Sequence, residues 1–297
     1  MKLAHHRGPA SGRAAPQVFY INRDRDGERR RCIEAGLTAA RLAGERVPAV
    51  EGLAVPHDLQ GYFMVDGRLA TRLSAGEVGC YASHLKTAQL IWRRGLAVAL
   101  VVEDDAVLPS SLAADLDAIL NAAPQGWDII RLSDNATHSF KPLNGLHSGR
   151  EIVCYSRVPS GTVGYLISAA GARKLLEPHI CEWPVDTDFR QPWVFGLQVY
   201  GVLPKLIGHN DALPSAVLAY GERSRLRRGL RRPTLRYPVG SPFHTLQSAR
   251  FNLRRLGPAT WLRCWMENMG RRLRRWTGGG RRIAAGAAVG PRSAVTG

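Results

Sequence analysis

The segment Leu100-Val101-Val102-Glu103-Asp104-Asp105-Ala106-Val107-Leu108 joins an apolar run to three consecutive carboxylates. The run is short and rich in Val and Leu, which predicts a strand buried on both faces of a sheet. Ligands of open α/β sheets bind beyond the carboxyl ends of the strands, where these acids would lie. Adjacent carboxylates repel one another unless a cation neutralises them, and their hard oxygens suit Mg²⁺ or Mn²⁺. A strand followed by a charged, solvated turn has the same local pattern, so both interpretations stay open at this point.

Strands and helices alternate outside this segment, which predicts an α/β domain with a mainly parallel sheet. The alternation starts with a strand at residues 17–22 and a helix at residues 28–43. Ser74 and Glu77 form the capping-box pattern of a helix that leads into the acidic strand. The polar segment 133–149 is predicted to be a long loop at the active site.

The formal net charge of +17 is concentrated in the last quarter of the 297-residue chain. Residues 223–297 hold 18 Arg and one acidic residue, whereas residues 1–222 are balanced in charge. The hydrophobic content of 45% is enough to bury a sizeable core. We therefore divide the chain into a disordered N-terminus (1–16), a folded domain (17–222) and a basic, partly helical tail (223–297).

The five cysteines are scattered and form no CxxC pair. This arrangement argues against a disulfide framework or a zinc site and favours a reducing compartment. The first 16 residues lack the apolar core of a signal peptide. No apolar run approaches the roughly 20 residues that a membrane-spanning helix needs. Together these features predict a cytoplasmic protein.

Several polar residues outside the acidic segment are candidates for chemistry. His84 lies on an apolar stripe of the capped helix, where a histidine more often packs in the core. Ser83 cannot form a catalytic dyad with it, because adjacent helical side chains point about 100° apart, and we reject a hydrolase triad. His209 is either a metal ligand or an exposed loop residue. Asp186 and Asp188 would face one side of an extended segment and raise each other's pKa, or they could begin a helix.

The order of the motifs resembles glycosyltransferase family 25, of the bacterial lipooligosaccharide galactosyltransferase type. The most specific match is Gly-Glu-Val-Gly-Cys-x-x-Ser-His at residues 76–84, followed closely by Glu103-Asp104-Asp105. The other matching segments, in chain order, are 18–22 with 28–30, 127–132, 161–168 with 171–172, and 184–186. The resemblance extends over residues 17–218.

The resemblance implies a GT-A-like fold that transfers a hexose, usually galactose, from a UDP-sugar to a lipooligosaccharide or LPS-type glycan with inversion. It also implies a divalent cation, Mn²⁺ or Mg²⁺, at the acidic motif. We assign Asp105 as a direct cation ligand, Glu103 to the cation or the donor, and Asp104 to the donor. Side chains alternate along a strand, so Glu103 and Asp105 are expected to point the same way on an extended backbone. Inversion requires a general base for the acceptor hydroxyl. Asp186, at the family's Pro-x-Asp position, is the first candidate, and Asp188 is the alternative.

Four more residues are assigned to the sugar-nucleotide donor. Asn22 ends the first predicted strand, and His84 lies on the helix that precedes the acids. Arg29 and Arg30 are placed to reach the diphosphate or the uracil, although a solvated helix face is equally consistent with one of them. His209 remains the candidate for an additional cation ligand.

The basic tail is predicted to contact an anionic membrane surface. Trp261, Trp265, Met269, Leu273 and Trp276 recur at intervals of three or four residues, which places them on one face of a helix with Arg beside it. Such a helix suits an anionic lipid surface. A glycolipid acceptor at the inner face of the cytoplasmic membrane would make this location useful. The alternative is a helix packed on the folded domain with its Arg side chains solvated.

Two other functions compete with a membrane-peripheral glycosyltransferase. A nucleic-acid-binding protein could use the Arg and Trp of the tail for phosphate contacts and base stacking. That function leaves the acidic strand without a role, so nucleic acid is not the expected partner. The other competitor is an inactive relative that only binds a sugar nucleotide.

Overall fold

The computed structural model describes residues 15–71, 73–210 and 242–284, with the side chains of residues 244–274 in the last range. Some of the sequence-based predictions concern residues outside the described parts. These are residues 1–14 of the N-terminus, the domain boundary after residue 222, the Arg-rich segment 223–236 and the side chain of Trp276. The strands are β1 (Gln17–Asn22), β2 (Gly44–Pro48), β3 (Met64–Val65), β4 (Arg68–Leu69), β5 (Val98–Glu103), β6 (Ala106–Val107), β7 (Ile129–Arg131), β8 (Phe140–Gly145), β9 (Glu151–Tyr155), β10 (Gly164–Ser168), β11 (Val199–Leu203) and β12 (Gly208–His209). The helices are α1 (Gly27–Ala39), α2 (His57–Gln60), α3 (Ala75–Arg93), α4 (Leu112–Ala122), α5 (Ala169–Leu175), α6 (Val185–Phe189), α7 (Pro192–Phe195), α8 (Pro242–Leu256) and α9 (Pro258–Ala284).

The main sheet has the strand order β2-β1-β5-β10-β7-β11-β9-β8. β1 runs parallel to β2 and β5, and β11 runs parallel to β7. β10 is antiparallel to both of its neighbours, β5 and β7, and β9 is antiparallel to β8 and β11. The α/β class is therefore confirmed, but the prediction of a mainly parallel sheet is wrong, because the sheet is mixed.

Part of the error comes from the segment between β7 and β10. We expected a long loop at residues 133–149, but β8 occupies Phe140–Gly145 and pairs directly with β9. Two strands joined by a short connection can only be antiparallel. The sequence hides β8 because its Pro, Asn and Gly are rare in strands and are tolerated at an edge, which is where β8 lies.

The sheet is buried on both faces, as the apolar run before the acids predicts. Along β5, Ala99 and Val101 pack into the core on the side of α3, whereas Leu100 and Val102 pack into the core on the side of α1 and α4. All four side chains are at most 1% exposed. The alternation follows from the two-residue period of a strand. β5 therefore lies in the middle of the fold, and its acidic end lies at the carboxyl edge of the sheet.

The helix before β5 begins where the sequence predicts. The Ser74 side chain accepts a hydrogen bond from the Glu77 amide, and the Glu77 side chain accepts one from the Ser74 amide. These two bonds complete the capping box. α3 then extends for 19 residues and buries one side on the sheet.

The two C-terminal helices pack against the far end of the sheet, and Gly257, with a φ of +78°, separates them. Arg255 of α8 donates to the Val199 carbonyl at 2.6 Å. In α9, Asn268 accepts from the Ser139 amide at 2.9 Å, and Cys264 is buried. Residues of α8 and α9 therefore contact the folded domain. Among the described residues, none of the helices has the length and apolar character needed to cross a membrane.

Candidate active site

The three carboxylates open into a cleft at the carboxyl ends of β1 and β5. These strands are parallel, with Ile21 opposite Glu103, so their ends meet at one edge of the sheet. Glu103 ends β5, and Asp104 and Asp105 form the turn before β6. Residues that line the cleft include Asn22, Arg29, Val50, Gly52, Ala75, Gly79, Cys80, His84, Glu103, Asp104 and Asp105.

Arg29 of α1 is buried between two of the acids. Its Nε donates to Asp104 Oδ1 at 2.6 Å, and its Nη2 donates to Asp105 Oδ2 at 2.5 Å. Asn22 donates to the second oxygen of Asp104 at 2.7 Å. Asp104 is therefore held on both oxygens by protein donors, and its carboxylate serves to fix β1, α1 and the acidic turn together.

Asp105 keeps one oxygen free for a ligand. Its Oδ2 is shared between Arg29 and His209, whose Nε2 lies 3.4 Å away. Its Oδ1 is buried and has no hydrogen-bond partner among the described residues. Burial, and then the charge of Glu103, raise the pKa of Asp105. A buried carboxylate oxygen without a partner is costly, and carboxylate oxygens are the ligands that hard divalent cations prefer, so these residues fit a divalent cation.

Glu103 faces a different set of partners. Its Oε1 accepts a hydrogen bond from the Thr162 hydroxyl and lies 3.6 Å from His84 Nε2. Burial opposes ionisation of Glu103, but His84 and Thr162 together bring its pKa below the ordinary value. We expected an extended backbone to aim Glu103 and Asp105 the same way. That expectation is wrong, because the chain turns at Asp104 and Asp105, although both acids still line the cleft.

One wall of the cleft is made by a close backbone contact between α3 and the loop after β2. A Cβ on Gly79 would lie 2.5 Å from the Val50 carbonyl oxygen, and one on Gly52 would collide with the Ala75 carbonyl. Ser83 accepts a hydrogen bond from the Val50 amide at 2.8 Å and donates to the Gly79 carbonyl at 2.7 Å. Ser83 thus anchors this loop, which agrees with the rejection of a hydrolase dyad.

The two candidate bases point in different directions. Of the two alternatives for Asp186 and Asp188, the start of a helix is correct and the extended segment is wrong. Both residues lie in α6, where positions two apart face nearly opposite sides. Asp188 is 4% exposed and accepts from the Tyr81 hydroxyl at 2.9 Å. Burial raises its pKa from 3.8 to about 8. Asp186 is half-buried. It lies close enough to Cys80, in the wall of the cleft, for its negative charge to add to the effects of burial and Glu103, which raise the pKa of the Cys80 thiol.

The structure brings most of the predicted donor and cation residues together, but not Arg30. Its side chain lies on the exposed side of α1, where its Nε pairs with Glu34 at 2.8 Å. His209 lies in β12, which pairs with β6 directly after the acidic turn. This pairing explains how a residue more than a hundred positions away in sequence reaches Asp105.

Sequence reasoning missed Cys80, Thr162 and Tyr165 as members of this site. The sulfur of Cys80 and ligand atoms of His84 and Glu103 lie within 4.8 Å of one another. The four-residue spacing of Cys80 and His84 on a helix is a signal that could have indicated their proximity. Tyr165 lies in β10, with its hydroxyl 2.8 Å from Nδ1 of His84, and Thr162 lies just before this strand. The sequence carries no comparable signal for these two residues, because the antiparallel pairing of β10 places them.

Comparison with known proteins identifies the family to which this geometry belongs. The sequence model of glycosyltransferase family 25 (LPS biosynthesis protein) matches residues 15–190. The chain belongs to glycosyltransferase family 25. The match contains the acidic turn, α1, α3 and α6, whereas His209, α8 and α9 lie beyond it.

Some relatives in the family are named as galactosyltransferases, and others are named as inactive members. Inactive glycosyltransferase 25 family member 3 of Homo sapiens is 32% identical over 186 residues, which cover 57% of this chain and 30% of the relative. Procollagen galactosyltransferase 1-A of Xenopus laevis is 32% identical over 185 residues, with the same two coverages of 57% and 30%. A glycosyltransferase 25 family member of Aedes aegypti is 28% identical over 202 residues, or 63% of this chain and 32% of the relative. The chain thus spans about a third of the length of these family 25 relatives, and identity alone does not separate an active from an inactive member.

Proposed function

We propose that this family 25 chain is a GT-A-like, inverting glycosyltransferase that moves a hexose, galactose in the first instance, from a UDP-sugar to an LPS-type glycan. The observation that carries the proposal is Oδ1 of Asp105, just beyond the carboxyl end of β5, which is buried and has no hydrogen-bond partner in the part of the chain that the structure describes. A protein that used the acidic turn only as a solvated loop would have no reason to bury such an oxygen. The names of the galactosyltransferase relatives support the choice of galactose.

The donor would bind in the cleft between α1, α3 and the acidic turn. Asp105, with Glu103 and His209 beside it, would hold Mn²⁺ or Mg²⁺, which supplies charge neutralisation to the diphosphate leaving group. Ala75 and Gly76 bring the N-terminus of α3 to the cleft, and helix N-termini favour phosphate oxygens. Arg29 keeps Asp104 and Asp105 in place for this binding.

Asp186 is the proposed general base. It takes the proton from the acceptor hydroxyl as that oxygen forms a bond to the anomeric carbon. The bond from the anomeric carbon to the diphosphate oxygen breaks, and its electron pair leaves with UDP. Asp188 is buried against Tyr81 on the other side of α6, so we assign it to positioning the helix.

Release of UDP from UDP-galactose in the presence of Mn²⁺ tests this proposal, with a panel of UDP-sugars to identify the donor. We expect Asp105→Asn to abolish release, and the matched variant Asp117→Asn, on the exposed side of α4, to retain it. Full activity of Asp105→Asn would overturn the cation assignment. Binding of UDP-sugars without any release would instead indicate a binding protein, as the inactive relatives suggest.

We also propose that α9 attaches the enzyme to an anionic membrane surface on the cytoplasmic side. The outer face of α9 consists of five exposed apolar side chains, namely Leu262, Trp265, Met266, Met269 and Leu273. Arg272 and Arg274 are exposed beside this face. Apolar insertion combined with basic residues is the pattern of a helix that lies in a lipid interface. Trp261, which we placed on the same face, is instead half-buried, so the helix has one side for the domain and one for the lipid.

A further inference from the structure

The donor cleft contains a second group of potential metal ligands, distinct from Asp105. Cys80 and His84 are four residues apart on α3 and therefore share one side of the helix. Together with Glu103 at the end of β5, they place a sulfur, a ring nitrogen and a carboxylate oxygen within 4.8 Å of one another. Zn²⁺ holds Cys sulfur at about 2.3 Å and His nitrogen at about 2.0 Å, so tetrahedral ligands lie about 3–4 Å apart. The three ligand atoms therefore lie near the spacing of a bound ion, and their side chains would turn toward a common centre to hold it.

The residues behind this group are arranged as metal sites require. Nδ1 of His84 lies 2.8 Å from the hydroxyl of Tyr165, which is 1% exposed. When Nδ1–H donates to that hydroxyl, Nε2 carries the free lone pair, and Nε2 is the nitrogen that lies 3.6 Å from Glu103. The Thr162 hydroxyl fixes the same carboxylate from the other side. Metal-binding histidines and carboxylates are characteristically oriented by such outer hydrogen bonds.

The ligand types distinguish this group from the cation site at Asp105. A thiolate is a soft ligand that selects Zn²⁺ over Mg²⁺ and Mn²⁺, whereas the oxygen of Asp105 is hard. Cys80 is part of the cleft lining, so an ion can reach it from the solvent side. The proposed transfer reaction gives Cys80 no role.

We propose that Cys80, His84 and Glu103 form a binding site for a thiophilic divalent cation, Zn²⁺ in the first instance, which blocks the donor cleft. The Cys80 proton is released to solvent as the sulfur binds the ion. Glu103 is then withdrawn from the hard cation at Asp105, so Zn²⁺ inhibits transfer. The inhibition rests on the proposed glycosyltransferase function, but the metal binding does not.

Titration of the full chain with Co²⁺ tests the binding directly. We expect one equivalent to produce a near-ultraviolet thiolate-to-cobalt charge-transfer band with the visible bands of a tetrahedral site, and Zn²⁺ to displace it. Cys80→Ser should lose the charge-transfer band, and the matched control Cys32→Ser, at an exposed cysteine of α1, should retain it. Absence of the band in the unaltered protein, or its persistence in Cys80→Ser, overturns the proposal.

Two further measurements keep the outcome clear. In the unaltered protein, Zn²⁺ should slow the alkylation of Cys80 by iodoacetamide, measured by mass spectrometry, but should not slow that of Cys32. Equal rates of alkylation at Cys80 with and without Zn²⁺ overturn the site. Asp105→Asn should keep the cobalt band while it loses UDP release. A protein that shows the band but never releases UDP would retain the zinc site and refute only the proposed transfer.

Discussion

The hydroxyl of Tyr81 donates a hydrogen bond of 2.9 Å to Oδ2 of Asp188, and both side chains are buried between α3 and α6. The burial raises the pKa of Asp188 from 3.8 to about 8. The carboxyl is therefore largely protonated at neutral pH and lies away from the cleft. The contact joins the helix that carries Cys80 and His84 to the helix that carries Asp186, so it holds these two helices together.

The first prediction concerns stability and pH. Between pH 4 and 8 the folded protein holds a proton on Asp188 that the unfolded chain has released. The contribution of Asp188 to the free energy of unfolding therefore falls as the pH rises through that window. The slope is at most about 1.4 kcal/mol per pH unit. Asp188→Asn removes this titration, and we expect its stability relative to the unaltered protein to increase from pH 5 to pH 8. Urea denaturation of both proteins at each pH measures the difference, and a constant difference would contradict the assignment.

The second prediction separates the two acids of α6 by function. Asp186→Asn should lose UDP release while UDP binding, measured by calorimetry, stays within a few-fold of the unaltered protein. Its control is Asp188→Asn, which keeps the Tyr81 hydrogen bond through the amide oxygen and should retain release. Loss of both binding and release in Asp186→Asn would indicate a structural role for this residue.

The third prediction uses two neighbouring arginines of α1. Arg29→Met leaves Asp104 and Asp105 buried without their guanidinium, and removal of one partner from such a pair costs about 3–5 kcal/mol of stability. Arg30→Met, whose partner Glu34 is exposed, should leave the melting temperature unchanged. Thermal unfolding of the two variants gives the comparison. Equal melting temperatures would show that Arg29 is not required to hold the acidic turn.

The sequence contains enough information for the strand that carries the acids and for the capped helix before it. β5 is identified by its apolar run, and α3 by the Ser74 capping box, because both signals are local. The direction of β10 depends on its pairing with distant segments, which leaves no local pattern. β8 is missed for a different reason, because its Pro, Asn and Gly are rare in strands. The same limit applies to the site. The approach of His209 to Asp105 follows from the pairing of β12 with β6, which no local pattern predicts. The sequence around Asp186 and Asp188 is compatible with an extended segment and with a helix start, and only the structure shows the helix.

The fourth prediction concerns the contact between α3 and the loop after β2. Ala in place of Gly inside a helix normally stabilises it by about 1 kcal/mol. Gly79→Ala should instead lower the free energy of unfolding and weaken UDP binding, because the new methyl group would lie 2.5 Å from the Val50 carbonyl oxygen. Gly36→Ala in α1 is the matched control, since its nearest neighbour is a side-chain atom of Leu108 at 3.7 Å, and it should be stabilising. Stabilisation of both variants in urea would show that the loop moves aside without cost.

The last prediction tests the outer face of α9. Trp265→Glu and Met269→Glu place a charge at two exposed apolar positions without touching the buried Cys264 side of the helix. Each should reduce sedimentation of the protein with vesicles that contain anionic lipid, because apolar insertion is lost and the added carboxylate is repelled. Trp92→Glu, at an equally exposed tryptophan near the end of α3, is the control and should sediment as before. If the protein truncated after Tyr220 still binds the vesicles, the membrane contact lies elsewhere in the chain. If neutral vesicles are bound equally well, the arginines beside the face play no part in the attachment.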